Sequence, residues 1–360
     1  MQLSNEWYRE DSDVAVPVKL NELKRIAIIS GSFRPGWSYQ ENIWAERLAK
    51  QGIEVTVVCP RSRVTDSKGL PYTVKGVSTW GFESRQLLHE RDVGPVVAEL
   101  EPQCILWFGP PQRFGLSVIR ERSLAQTPCA IFMGQNRRMQ AFNWNQPSLA
   151  VRPRLKAHAY RWLRGPAIRR AVDRADLVVA NTRETPEIID LYLGDTPYRH
   201  KVMITPLGFD PDAFSYCLET RARARTSLGL SSNELTFLLS SRFSAEKEPS
   251  INLIWSAFER TAAELEHVHM VVTGLDDGEF SGAFRTRVQE SRFAGRVHLH
   301  SFQARAELSD TFHAADVCVF NRPSISCQEA LGTGCFGLFS NDGSLDWLIE
   351  APETGVTYHT

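Results

Sequence analysis

Residues 25–59 constrain the fold most. Arg25-Ile26-Ala27-Ile28-Ile29-Ser30 is an apolar run, a loop with Gly31 and Gly36 follows, and an amphipathic segment occupies 39–51. Gly52 then suits a helix C-cap, and 54–59 is a second β-branched run. Strand, glycine loop, helix, glycine, strand is a βαβ unit. Its right-handed crossover makes the two strands parallel neighbours in one sheet.

The alternation continues along the chain. Strands are predicted at 74–80, 104–109 and 129–134, with helices at 84–100 and 113–123. A helix over 149–163 is expected to break at Gly165-Pro166, with Pro166 starting the next helix. Strands follow at 177–181 and 202–206, and the turn-formers of Pro206-Leu207-Gly208-Phe209-Asp210-Pro211 mark a hinge. The second half repeats the scheme, with strands at 235–241, 269–274, 297–301, 317–321 and 336–340. Helices at 250–264, 282–293, 305–314 and 326–334 separate them. The expected organisation is an N-terminal arm (1–24), a Rossmann-like domain (25–206), a linker (207–234) and a second Rossmann-like domain (235–360). The fold class is α/β, two doubly wound domains, and the default ligand site is the cleft at the carboxyl ends of their strands.

Composition excludes several classes. With 42% hydrophobic and 23% charged residues the chain is of ordinary globular type. No apolar run approaches the roughly 20 residues that span a bilayer, and the polar, acidic start is no signal peptide. The seven cysteines are scattered without a C-x-x-C pair, which suits reduced thiols in a cytoplasmic protein. Net charge is −1, yet residues 122–172 hold ten Lys or Arg and no Asp or Glu. Within that region Arg152, Arg154, Lys156, Arg161, Arg164, Arg169 and Arg170 surround Tyr160, Trp162 and Leu163. Such interleaving suits an anionic membrane surface or a phosphorylated acceptor, and equally a solvated helix face. No nucleic-acid recognition motif accompanies the charge.

Three stretches carry candidate chemistry. The loop from Gly31 lets backbone N–H groups approach a ligand, although it does not match G-x-G-x-x-G. Arg242 and Lys247 stand between an apolar strand and a helix opening at Pro249, an arrangement that suits phosphate. Ser326 and Glu329 have capping-box spacing, and Glu329 is placed to accept hydrogen bonds from sugar hydroxyls. The pairs His267/His269 and His298/His300 have alternate-residue spacing but no evident third ligand, so no metal or other cofactor is expected.

In this order and spacing the chain resembles retaining glycosyltransferases of family 4, which have the GT-B fold of two facing Rossmann-like domains. The resemblance runs from about residue 25 to the end. It rests on GSFRPGWSYQENIWAERLAKQGIEVTVVCP, ADLVVANTRET and VMITPLGFDPDAF in the first half, with SSRFSAEKEPSINLIWSAF, AADVCVF, QEALGTG and TGVTY in the second. It implies that Arg242 and Lys247 grip the diphosphate of a nucleotide-sugar donor. Glu329, matching the second glutamate of E-x7-E, would hold the donor ribose, with Ser301 and Phe302 lining the base. Gly31, Gly36 and Trp37 would approach the diphosphate and sugar, Ser326 would join the donor site, and Gln135 and Asn136 would face the acceptor. The implied activity is transfer of a hexose-type sugar to a glycan, lipid-linked or small-molecule acceptor in polysaccharide or glycoconjugate biosynthesis. The implied location is cytoplasmic, at most peripheral at a membrane. The chain departs from the pattern at Asn321, where the first glutamate of E-x7-E would stand, and at Gln135-Asn136, where many relatives have His-Asp. It also stops soon after TGVTY, before the helices that usually follow. Two other readings stay open: a nucleotide-sugar-binding partner subunit without transferase activity, and a GT-B nucleotide-sugar epimerase.

Overall fold

The structure is a computed structural model. It describes residues 22–358 except 36–38, 65–68, 83–86, 110–112, 135–150, 194–196, 244–246, 321–323, 342–344, 346–347 and 350–351. The chain forms two compact units, Met1–Thr205 and Pro206–Thr360.

In the first unit β1 (Arg25–Ser30), α1 (Gln40–Lys50) and β2 (Glu54–Pro60) form the βαβ unit, and β3 (Thr73–Val77) extends the sheet. A hairpin of β4 (Trp80–Phe82) and β5 (Leu87–His89) and the short α2 (Val93–Glu99) follow. The strands β6 (Cys104–Phe108), β7 (Cys129–Met133), β8 (Leu177–Ala180) and β9 (Val202–Ile204) complete the sheet, with α3 (Val151–Arg174) and α4 (Thr185–Leu193) between them. The sheet is parallel throughout, in the order β3-β2-β1-β6-β7-β8-β9. Both faces are covered by buried clusters, one around Trp107 and Ile168, the other around Ile28, Val57 and Phe132. That is why its strands are continuous apolar runs rather than alternating ones.

The second unit opens with α5 (Pro211–Phe214) and α6 (Leu218–Ser227), then alternates β10 (Leu235–Ser240), α7 (Glu248–Glu264), β11 (Val268–Leu275), α8 (Glu279–Glu290) and β12 (Val297–Ser301). The helix α9 (Arg305–Ala314), β13 (Val317–Phe320), α10 (Ile325–Gly332), β14 (Phe336–Ser340) and β15 (Gly355–Tyr358) follow. This sheet is also parallel, in the order β12-β11-β10-β13-β14-β15. Helical spacing in α7 places Ile251, Ile254, Trp255, Phe258 and Ala262 on one buried face. Two parallel-sheet α/β domains are therefore present, as the alternation implies.

Four local expectations need correction. The helix expected over 84–100 begins only at Val93, because the Glu90 carboxylate accepts the Val93 N–H at 3.0 Å and caps it there. The helix expected over 113–123 is two 3₁₀ segments, preceded by left-handed backbone at Arg113 and Gly115. Gly165-Pro166 does not break its helix: α3 runs through Pro166 for 24 residues. Its buried Ala167, Ile168, Ala171 and Val172 seat it on the core, and that packing outweighs proline's lost hydrogen bond. The stretch 207–234, read as a linker, instead carries α5 and α6, which belong to the second unit. Phe214 is fully buried there, and Arg221 and Arg225 bind Asp316 beside β13.

Candidate functional site

In the second sheet β10 lies between β11 and β13, so connections leave it in opposite directions on either side. This is the switch point of a doubly wound domain, where a crevice opens beyond the carboxyl ends of the strands. The loop after β10 and the N-terminus of α10 after β13 border that crevice from adjacent strands. The sequence singles out both.

The β10 loop is tied down at its root. The Ser241 N–H donates to the Thr273 carbonyl at 3.1 Å, and Lys247 Nζ donates to Ser241 Oγ at 3.1 Å. Lys247 is the N-cap residue of α7, whose first N–H groups have no partner within the helix, and Arg242 is exposed on the same loop. Two cations and a helix N-terminus converge on one rim, which favours an anion.

Gly274, in left-handed backbone at φ 95°, lets this loop approach. It sits in a register shift between β11 and β12, and an added Cβ would lie 2.3 Å from the Ser241 carbonyl oxygen. Gly274→Ala is expected to lower stability by about 1–3 kcal/mol and to displace the Lys247–Ser241 contact. Thermal melting and ligand affinity should therefore fall together; unchanged values for both would show that the loop tolerates the side chain.

Glu329 lies in α10 with no exposed surface, and neither carboxylate oxygen meets a hydrogen-bond donor of ordinary geometry among the described residues. Burial pushes its pKa up to about 7. The Arg305 guanidinium and the Ser326 hydroxyl oppose that rise, the latter without an ordinary hydrogen bond, and Asp210 adds to it. Arg305 Nη1 is 3.2 Å from Asp210 Oδ2 in a largely buried pair. The capping-box expectation is corrected here: α10 starts at Ile325 after Ser324, so Ser326 is inside the helix and caps nothing. Glu329 is therefore a buried carboxylate whose oxygens lack a well-formed hydrogen bond among the described residues, an arrangement that costs free energy and suits a ligand's hydroxyl groups.

Ser301 ends β12, two strands from β10 and thus about 10 Å away along the rim. Thr273 Oγ1 donates to Gln303 Oε1 at 2.8 Å and fixes the following turn, and Phe302 is 59% exposed. Arg242, Lys247, Ser301, Phe302, Ser326 and Glu329 thus all belong to the carboxyl rim of one sheet. Asn321 lies outside the described residues. Sequence reading passed over Asp210, taken only as a turn residue, as well as Arg305 and Gly274. The Asp210-Pro211 pair is an N-cap signal, and the Asp210 carboxylate does accept the Asp212 N–H. Nothing in the spacing marks Arg305 or Gly274.

In the first unit Gly31 is buried in the turn after β1. Glu41 closes that turn from inside, accepting from Ser30 Oγ at 2.9 Å, and its burial raises the carboxyl pKa. Gly36, Trp37, Gln135 and Asn136 lie outside the described residues. Of the basic region, Arg164 is buried near Tyr192 and Arg169 donates to the Leu193 carbonyl at 3.0 Å, so both serve the fold. Trp162 is 79% exposed and Arg170 is exposed. No described helix is long and apolar enough to cross a membrane.

The histidine pairs lie near the β12 edge. His269 Nε2 is 3.1 Å from Glu234 Oε1, and the His269 and His298 rings stack at 5.8 Å. Among the described residues no group of three or more His, Cys, Asp or Glu is placed to hold a metal ion. Burial holds the pKa values of His298 and His300 below their ordinary 6.5. The native state then binds fewer protons than the unfolded chain, so stability should fall as pH drops below about 6.5. Melting temperatures between pH 7.5 and 5 should show the fall, and the His298→Asn/His300→Asn double variant should flatten it. Equal slopes for the two proteins would contradict this.

No family model matches the chain. Over 195 residues, 51% of this chain, it is 30% identical to D-inositol 3-phosphate glycosyltransferase of Gordonia bronchialis. The match spans 42% of that relative's length. The crystal structure of HepE from Anabaena in complex with UDP and glucose is similar with a TM-score of 0.64 at 16% identity. That likeness covers 94% of this chain and 86% of HepE. Sucrose-phosphate synthase from Thermosynechococcus elongatus is similar with a TM-score of 0.66 at 16% identity, covering 93% and 86% of the two chains. The likeness to these structures establishes the fold class as GT-B, with its two parallel-sheet α/β domains.

Proposed function

We propose that the protein is a retaining glycosyltransferase of the family 4 kind, moving a hexose-type sugar from a nucleotide diphosphate to a sugar-containing acceptor. The observation that carries this reading is the juxtaposition at the β10/β13 switch point. A cationic loop at a helix N-terminus stands on the strand next to that of a buried carboxylate, which has no hydrogen-bond donor of ordinary geometry among the described residues. Lys247 and Arg242 take the diphosphate, Glu329 takes the nucleoside hydroxyls, and the turn after β12 takes the base. HepE, whose structure holds UDP and glucose, and sucrose-phosphate synthase have the same fold and support the choice of donor.

The chemistry follows from charge. As the sugar–phosphate bond breaks, negative charge grows on the departing diphosphate, and fixed cations lower that barrier directly. In this reading the acceptor approaches the sugar on the face the diphosphate leaves, which retains configuration. Gly31, Gly36 and Trp37 are assigned to the donor's sugar end, and Gln135 and Asn136 to the acceptor.

Thermal-shift screening with UDP-glucose, ADP-glucose and GDP-mannose, followed by product analysis, tests the function. The expected result is stabilisation by one donor and, with that donor and a glycan acceptor, a glycoside of unchanged anomeric configuration. Epimerised donor without acceptor would identify an epimerase, and binding without hydrolysis or transfer would identify a binding subunit. Either outcome would overturn the proposal.

A further inference from the structure

We propose that Glu329 carries a proton until the hydroxyls of a bound nucleoside donate to it, and that Arg305 and Asp210 are positioning residues that set how readily the proton leaves. The inference rests on the reading of this site as a nucleotide-sugar site. It adds a link between donor affinity and pH that the fold alone does not imply.

The geometry carries it. A carboxylate with no exposed surface and no hydrogen-bond donor of ordinary geometry among the described residues is costly to ionise. Two hydroxyls donating to its oxygens would favour the charged form and expel the proton to solvent. Binding and deprotonation are then one linked event. A pKa of about 7 puts that event within the physiological range.

Among the described residues two charges act on Glu329. Arg305 of α9 favours the carboxylate, and Asp210, ahead of α5, disfavours it. The 3.2 Å pair between them tempers both effects and fixes the guanidinium in place. His313 of α9 is turned away, with its ring nitrogens at the Ser309 and Ser215 carbonyls. Burial raises the thiols of Cys327 in α10 and Cys318 in β13, so both stay neutral. The strand β14 carries no titratable side chain.

This arrangement makes a signed prediction. Affinity for the sugar nucleotide should be flat above pH ~8 and should fall about tenfold per unit below pH ~6.5, with one proton released per molecule bound there. Arg305→Gln removes the charge that favours ionisation, so its midpoint should move to higher pH. Asp210→Asn keeps a helix cap but removes the opposing charge, so its midpoint should move lower. Glu329→Gln should bind more weakly and without this pH dependence.

The test is calorimetric titration of the full chain and these variants between pH 5.5 and 9, in two buffers of different ionisation enthalpy. The probe is the tightest binder among UDP-glucose, ADP-glucose and GDP-mannose, whose doubly esterified diphosphates do not titrate in this range. Opposite midpoint shifts for Arg305→Gln and Asp210→Asn, with melting curves that remain cooperative, are the expected result. A purely structural role would weaken both variants without moving their midpoints in opposite directions. Tight, pH-independent binding by the unsubstituted protein would overturn this inference and leave the site reading intact. Binding by none of the three probes at any pH would overturn both.

Discussion

Lys247→Ala is expected to cut sugar transfer by about 10²-fold or more while leaving the melting temperature within about 2 °C of the parent. The ammonium donates to Ser241 Oγ at 3.1 Å on the loop it closes, and Lys247 is not a member of the buried cluster packed beside α7. Its value lies in the transition state, where charge appears on the departing diphosphate, and a hundredfold loss corresponds to about 2.7 kcal/mol of lost stabilisation. Arg242→Ala should act in the same direction, because Arg242 is exposed on the same loop. The two losses should not add in full, since both cations serve one anion. Initial rates at saturating donor, with melting curves as the fold control, check this. Near-normal transfer by both variants would remove the phosphate site from the account.

The largest expected effect on stability lies away from the crevice. Asp316 precedes β13 and holds α6: Oδ1 pairs with Arg221, while Oδ2 takes Arg225 at 3.1 Å and the Thr236 N–H at 2.8 Å. Arg225 is 5% exposed. Asp316→Ala would leave that guanidinium buried without its counter-charge and one strand N–H without its acceptor. Such a change costs about 3 kcal/mol, softened here because Arg225 also donates to the Ala314 and Ser231 carbonyls. For a unit of this size the melting temperature should fall by about 6–12 °C. Asp316→Asn, which keeps an acceptor, should lose less. A melting temperature unchanged in Asp316→Ala would mean that α6 is not held by this cluster.

The parts of the fold that could be read from sequence are those governed by period. Runs such as Ile26 to Ile29 and Phe237 to Leu239 are apolar on consecutive residues because both sheet faces are covered, and each is separated from the next by an amphipathic helix. What could not be read depends on distant partners. Pro166 looked like a break, but residues far along the chain supply the packing that carries α3 through it. The stretch 207–234 looked like a linker because its turn-formers and charges hide two arginines whose partner is Asp316, some ninety residues on.

The candidate site divides in the same way. Lys247 and Arg242 were visible because strand, cations and helix start are contiguous. Glu329 was singled out with the wrong local explanation: the Ser326 spacing suggested a cap, whereas the carboxylate is buried without one. Arg305 and Gly274 gave no local signal. One matters through a pair with Asp210 across the unit, the other through a close approach to the Ser241 carbonyl.

The most direct measurement of the central claim is calorimetric binding of UDP, ADP and GDP in turn to the unsubstituted protein and to the Arg242→Ala/Lys247→Ala double variant. The account predicts that one nucleotide binds the former in the micromolar range or tighter, and that the double variant binds it at least tenfold more weakly with its fold intact. Equal affinity in the two proteins, or no binding by any of the three nucleotides, would contradict it.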